Sequence, residues 1–199
     1  MKFRKSVLIT IALSLSASAN AALVERLGGL AYYDDVADLT WLADANYAQT
    51  SGYDADGMMT WADANTWVSG LSVEGISGWR LPSADESCPD FYCTGSEMGN
   101  LFYNVLGNAA AGGLSNAGPF SNIQLSEYYW NAELSTDPGR AFDFGMVNGE
   151  QFTTNIYFEG DYSWAVQSGD ISAVPVPAAV WLFGSGFIGL VGFARRKKA

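Results

Sequence analysis

Both ends of this 199-residue chain are apolar in a way that leaves only its middle to build a water-soluble core. From Val176 to Ala194 there is no charged residue, and Arg195, Arg196, Lys197 and Lys198 follow at once. As a helix that stretch spans roughly 28 Å, close to the ~30 Å hydrocarbon core of a bilayer. The cations stay on the cytoplasmic side. The other end has Lys2, Arg4 and Lys5, a short apolar run from Ser6 to Leu15, and the small residues Ala19-Asn20-Ala21. That pattern reads as a secretory signal peptide, too short to span permanently. The expected organisation is a signal peptide over 1–21, one exported domain over 22–173 and a membrane-inserting tail over 174–199.

The tail has three parts: Val174-Pro175-Val176-Pro177, the apolar run, and a basic end containing Arg195 and Arg196. In this it resembles the PEP-CTERM sorting signal of Gram-negative bacteria, with Val176 where that motif usually has Glu. The resemblance implies an exosortase as processing partner and membrane contact through the C-terminal helix before processing. It also implies a final place at the cell surface or in the extracellular matrix. An ordinary C-terminal anchor needs the same apolar run and cations, and stays open as an alternative.

Charge constrains the middle segment. All 21 acidic residues fall between Glu25 and Asp170, against Arg26, Arg80 and Arg140 and no Lys, a formal charge near −18. Such a domain will not hold nucleic acid by charge. Its richness in Trp, Tyr, Phe and Leu supports a packed core rather than disorder. The chain has no histidine, which excludes Ser-His-Asp and Cys-His chemistry and His-ligated zinc. Cys88 and Cys93 are the only cysteines. In an exported protein, so close a pair reads as a local disulfide.

Periodicity gives an α+β order. Leu30, Tyr32, Leu39 and Trp41 alternate around the polar turn at Asp34-Asp35, an opening hairpin. Thr60 with Asp63 caps a helix whose apolar positions are Trp61, Ala64, Val68 and Leu71, ending near Gly70. Pro82 stops a short extended piece. A second helix is predicted from about Ser96, through Met98, Leu101, Phe102, Val105 and Leu106, to Gly107. Asn108 to Gly118 reads as a loop. Phe142, Phe144 and Met146 form a strand alternating with Asp143 and Gly145, and Asn148-Gly149 signals a two-residue hairpin turn. Phe152 to Tyr157 is the returning strand. Tyr162, Trp164 and Val166 make the last strand of an antiparallel set.

The segments Thr60-Trp61-Ala62-Asp63-Ala64, Gly78-Trp79-Arg80-Leu81-Pro82-Ser83, Tyr128-Tyr129-Trp130 and Tyr162-Ser163-Trp164-Ala165-Val166, with Gly169-Asp170, occur in that order. As a set they resemble the DUF1566 family, also called the Lcl C-terminal domain, over about Leu27 to Asp170. The helix-helix-sheet order and the Trp79-Arg80-Leu81-Pro82 signature are also similar to the C-type-lectin-like superfold. The resemblance implies a single domain with two helices packed on a mostly antiparallel sheet, acting in binding or adhesion. It carries over no catalytic residues. Gln167 stands where relatives often have Arg.

Candidate sites follow. Arg80, one of three cations among 21 acids, is expected in a partly buried ion pair, since its planar fork suits carboxylate pairing. Asp34, Asp35 and Asp38, and Asp54 with Asp56, are candidate oxygen ligands for calcium, although neither group completes an EF-hand loop; acidic turns need the same residues. The domain's six tryptophans read chiefly as core, with a sugar-stacking platform as the alternative. The expected function is an exported, non-catalytic module that binds an extracellular polysaccharide or a surface protein. One alternative is an acidic matrix component without a specific ligand. Another is an enzyme of the formylglycine-generating type using Cys88 and Cys93.

Overall fold

The computed structural model describes residues 23–171 apart from 89 and 159. The signal peptide, the tail motif at Val174–Pro177, its basic end and the predicted membrane span therefore lie outside the described residues. Among the described residues no helix is long and apolar enough to cross a membrane.

The domain is α+β, with two antiparallel sheets in place of the single sheet expected. The first begins with β1 (Leu23–Arg26), which a 3-10 turn at Leu27–Gly29 folds back onto β2 (Ala31–Asp34). β2 pairs with β3 (Leu39–Leu42) in the predicted hairpin, from Ala31↔Leu42 to Asp34↔Leu39. Asp34 shapes the turn, its Oδ1 accepting the N–H groups of Val36 and Ala37 at 3.0 Å each.

Short helical pieces separate the sheets: α1 (Tyr47–Thr50), α2 (Trp61–Gly70) and α3 (Glu97–Asn100). α2 starts where its capping box places it. Thr60 Oγ1 accepts the Asp63 N–H at 3.2 Å and donates to the Asp63 carboxylate at 2.7 Å. The second predicted helix is shorter and wider than its apolar spacing suggests. α3 covers one turn, capped by Ser96 Oγ, and Leu101–Val105 continues as a π turn. The Leu106 N–H reaches back to the Leu101 carbonyl, and this widened ring lets Leu101 and Phe102, adjacent in sequence, both enter the core.

The second sheet consists of β4 (Tyr129–Leu134), β5 (Arg140–Gly145) and β6 (Glu150–Asn155), in that order. β4 bulges between Trp130 and Leu134. The β5–β6 hairpin is present, but its turn is longer than two residues. Gly145↔Glu150 is the last pair, so Met146 to Gly149 all lie in the loop. Asn148 Oδ1 accepts the Glu150 N–H at 3.0 Å and Gly149 adopts φ +84°, which favours glycine.

The end of the chain departs furthest from expectation. Tyr162 makes a single parallel bridge to Tyr129, and the true last strand, β7 (Val166–Ser168), leaves the second sheet and pairs with β3 as Trp41↔Val166 to Leu39↔Ser168. The first sheet therefore runs β1-β2-β3-β7 and holds both ends of the domain.

One hydrophobic cluster fills the space between the sheets and helices. Trp164 is its hub, with ring centroids 5.4 Å from Trp41, 5.0 Å from Phe120 and 5.8 Å from Tyr129. Burying each such ring contributes about 2–3 kcal/mol. Trp164 Nε1 donates to the Leu42 carbonyl and Trp130 Nε1 to the Met59 carbonyl, both at 2.8 Å. Trp41, Trp67, Trp79, Trp130 and Trp164 are buried, and half-buried Trp61 donates its indole N–H to the Asn131 carbonyl. The tryptophans are thus core residues, as their periodicity indicates.

Candidate functional site

Arg80 is positioned by a short extended segment that bridges Val166. Its guanidinium binds Glu97 with two bonds of 2.7 Å and also donates to the Leu81 carbonyl and Ser168 Oγ. Glu97 Oε2 accepts the Ser83 N–H at 2.8 Å as well. The hydrogen bonds that Arg80 donates to Glu97 raise the Arg80 pKa, against the opposing effect of burial. Trp79 and Leu81 are in the core, and the Pro82 carbonyl accepts the Ala132 N–H. Trp79-Arg80-Leu81-Pro82 is therefore a joint between α3, β4 and β7.

Cys88 and Cys93 form a disulfide. Their loop is held to β6 by Gln151, whose Nε2 donates to the Asp85 and Cys88 carbonyls and whose Oε1 accepts the Asp85 N–H. Neither sulfur is a free thiol, and the bridge belongs to a packed loop rather than to an open cleft.

The proposed calcium ligands serve turns. Besides Asp34, Asp38 Oδ1 accepts the Tyr33 hydroxyl at 2.8 Å. Asp54 Oδ1 accepts the N–H groups of Asp56 and Gly57, and Asp56 Oδ1 that of Met58. Burial pushes the Asp54 carboxyl up, but these backbone donors outweigh it and hold the group below its ordinary range. Asp35 lies in the turn between β2 and β3. Among the described residues, no group of three Asp, Glu or Cys side chains stands where it could hold a metal ion.

The open concavities lie elsewhere. One of about 510 Å³ is lined by Ser51, Gly52, Tyr53, Thr66, Trp67 and Ser72, among others, between the end of α1 and one face of α2. A second, of about 250 Å³, is lined by Tyr53, Asp54, Met58, Met59, Thr60 and Asp63. Tyr53 lines both and is 55% exposed. The walls offer hydroxyls, carboxylates, an aromatic ring and flat glycine backbone, and no cation. A third hollow of about 230 Å³ lies by Leu30, Asp44, Tyr47 and Ser121.

A different cluster is hidden. Asp143 on β5 and Asp161 are at most 1% exposed, and their carboxyls act on each other electrostatically. Burial pushes Asp143 up to about 6, despite opposing contacts from Thr154, Asp161 and Arg140. Burial, then the neighbouring Asp143, push Asp161 up to about 8. Neither residue lines any of the three cavities.

Sequence periodicity finds neither Tyr53 nor the acid pair. Tyr53 stands in a polar, turn-rich stretch without a repeat, and Asp143 occupies the polar phase of an alternating strand. Asp161, its neighbour in the fold, comes from a separate segment that bridges Met59.

Residues 173–198 match the PEP-CTERM protein-sorting motif. Neither a curated protein nor a solved structure matches the chain. The match covers the tail predicted from its apolar run and basic end, and such tails direct secreted proteins to an exosortase at the membrane, typically in Gram-negative bacteria. This chain is an exported protein that carries a PEP-CTERM signal for exosortase-dependent sorting behind an acidic α+β domain.

Proposed function

We propose that the exported domain is a non-catalytic binding module for a neutral extracellular glycan, acting at the cell surface or in the exopolysaccharide matrix. The observation that carries this reading is Tyr53, a half-exposed ring shared by two concavities, one lined by hydroxyls with Trp67 and Leu71 and the other by Asp54, Asp63 and Thr60 with two methionines. Sugar rings present C–H faces to an aromatic plane and hydroxyls to oxygen acceptors, and the absence of cations from these walls disfavours sulfated or acidic polymers. A non-catalytic role is consistent with the placement of the pKa-shifted acids Asp143 and Asp161 away from the three cavities.

The reading includes the DUF1566, C-type-lectin-like assignment. Three of its motif segments are in direct contact: Arg80 bridges Val166, and Tyr129 bridges Tyr162. The fourth joins them through Trp61 Nε1, which donates to the Asn131 carbonyl next to the third motif.

Retention of the mature protein on cell-free exopolysaccharide from its own bacterium tests the function, with calcium and again with chelator. Retention lost in Tyr53→Ala at unchanged melting temperature supports the site. Equal retention of that variant removes it. Absence of retention in every condition favours a second reading, an acidic matrix component held by cation bridging. One observation already favours that alternative: Arg26 and Arg80 are engaged by Asp170 and Glu97, and Arg140 by Thr153, so the acidic surface keeps little internal compensation.

A further inference from the structure

Asp143 and Asp161 are the least explained polar groups of the fold. Neither oxygen of Asp143, nor Oδ2 of Asp161, receives a well-aligned hydrogen bond from an N–H or a hydroxyl. Their polar neighbours are each other's carboxyls, the Thr154 hydroxyl beside Asp143 and the Tyr128 N–H beside Asp161. Two carboxylates repel, so neighbouring buried carboxyls without other partners require a proton on one. Like charges buried this deeply cannot both persist without moving apart.

What they would move is a junction. The Met59 N–H donates to the Asp161 carbonyl, the Tyr162 N–H to the Tyr128 carbonyl and the Trp130 N–H to the Tyr162 carbonyl, at 2.9–3.0 Å. A few residues on, the Leu42 N–H donates to the Ala165 carbonyl at 3.1 Å, and Arg80 and Val166 exchange two bonds of 2.9 Å. Residues 161–166 thus attach to β4 first and to β3 next, and β7 follows. Asp161 is the first residue of this connection, and its partner stands in the middle strand of the second sheet.

We propose that the Asp143–Asp161 pair is a proton-dependent clasp. With one shared proton it holds residues 161–163 against β4 and β5. Loss of that proton in a mildly alkaline medium sets the segment loose while the first hairpin stays folded.

The surroundings favour retention of the proton. Glu150 of β6 and Glu127 before β4 add negative field, raising Asp143 and Asp161 respectively. Arg140 at the start of β5 opposes this at Asp143, but its guanidinium is already bonded to Thr153 Oγ1 and the Thr153 carbonyl. Met59 brings no titratable group. An acid whose pKa is higher in the closed state binds its proton more tightly when closed. Closing therefore weakens as pH rises from the open-state value, near 4, to the closed-state value, about 8 for Asp161. The inference does not depend on the glycan reading.

Hydrogen exchange on the full chain tests it, with rates corrected for the intrinsic pH dependence of amide exchange. The Trp130 and Tyr162 amides are expected to lose protection about tenfold per pH unit between pH 6 and 8, while the Ala31–Asp34 and Leu39–Leu42 hairpin keeps its own. In Asp161→Asn, whose amide can donate permanently to Asp143, the slope should vanish. A flat profile in the wild-type chain, or an unchanged slope in Asp161→Asn, overturns the proposal. If that variant does not fold, Asp143→Asn gives the mirror test. Carbon-13 titration of the wild-type carboxyls decides without any variant: both groups titrating independently near pH 4 would overturn it.

Discussion

Arg26 closes the domain on Asp170, its Nε and Nη2 donating to the two carboxylate oxygens at 2.6 and 2.8 Å. The bond joins the end of β1 to the second residue after β7, across 144 positions of sequence. The guanidinium also lies 5.4 Å from the Tyr33 ring centroid. Arg26→Gln should loosen both chain ends without disturbing the core. Faster exchange in β1 and β7, with unchanged exchange in β4–β6, is the expected pattern. Equal protection at the ends would show that the ladders alone suffice.

Arg80 makes a different kind of pair, since its fork is set between Glu97 and the Leu81 carbonyl. Lysine keeps the charge but cannot make the two parallel bonds. Arg80→Lys should cost about 1–2 kcal/mol, a discounted figure because the side chain is about one-third exposed. Thermal melting checks this, and an unchanged midpoint would remove Arg80 from the structural joint.

Gly99 is placed against backbone. A Cβ built there falls 2.0 Å from the Cys93 carbonyl oxygen and 2.7 Å from Ser96 Oγ. Gly99→Ala should therefore destabilise by about 2–3 kcal/mol, the cost of overpacking a site that cannot give way, although alanine favours helix elsewhere. A neutral or stabilising result in urea unfolding would contradict this packing.

Removing the disulfide should be milder than its burial suggests. The loop from Cys88 to Cys93 is short, so it restricts the unfolded chain only modestly, and Cys88→Ser with Cys93→Ser should cost about 2 kcal/mol. Gln151 still ties the loop to β6. Loss of the whole fold in the double variant would show that the bridge does more than close a loop.

Global stability should fall as pH rises from about 4 to about 8, because Asp143 and Asp161 hold protons in the folded state that they release on unfolding. Overall self-repulsion acts in the same direction, so the comparison that matters is Asp161→Asn. Its melting temperature should depend less on pH than that of the wild-type domain. Identical slopes would assign the whole effect to surface charge.

What could be read from sequence follows the range of the interactions. Thr60 and Asp63 are three residues apart and announce α2 unaided. Asp34 with Val36 and Ala37 announces the first hairpin in the same way. The Asn148-Gly149 signal places a turn correctly but not its length, because the Gly149 N–H bonds to the Gly145 carbonyl and leaves Met146 to Gly149 in the loop. The destination of β7 was hidden, since Val166 is equally apolar beside β4 or beside β3. Charge counting suggested an ion pair for Arg80, while its partner Glu97 could be identified only once α3 was folded against Ser83. Tyr53 and the Asp143–Asp161 pair become visible only when segments distant in sequence have met.

The placement of β7 has a mechanical meaning. It is a three-residue strand paired along its length only with β3, Arg80 bridging just Val166 on the other side, and Asp170 comes two residues after it, ahead of the sorting motif in sequence. Tension applied through the tail enters the domain at that edge and reaches the Arg26–Asp170 grip before any core strand. An edge ladder pulled from its end opens one rung at a time, so the first sheet would yield at β7 while the Trp164 cluster stayed intact. For a protein whose tail is processed at the membrane, this edge would act as the mechanical fuse under any pull on that tail.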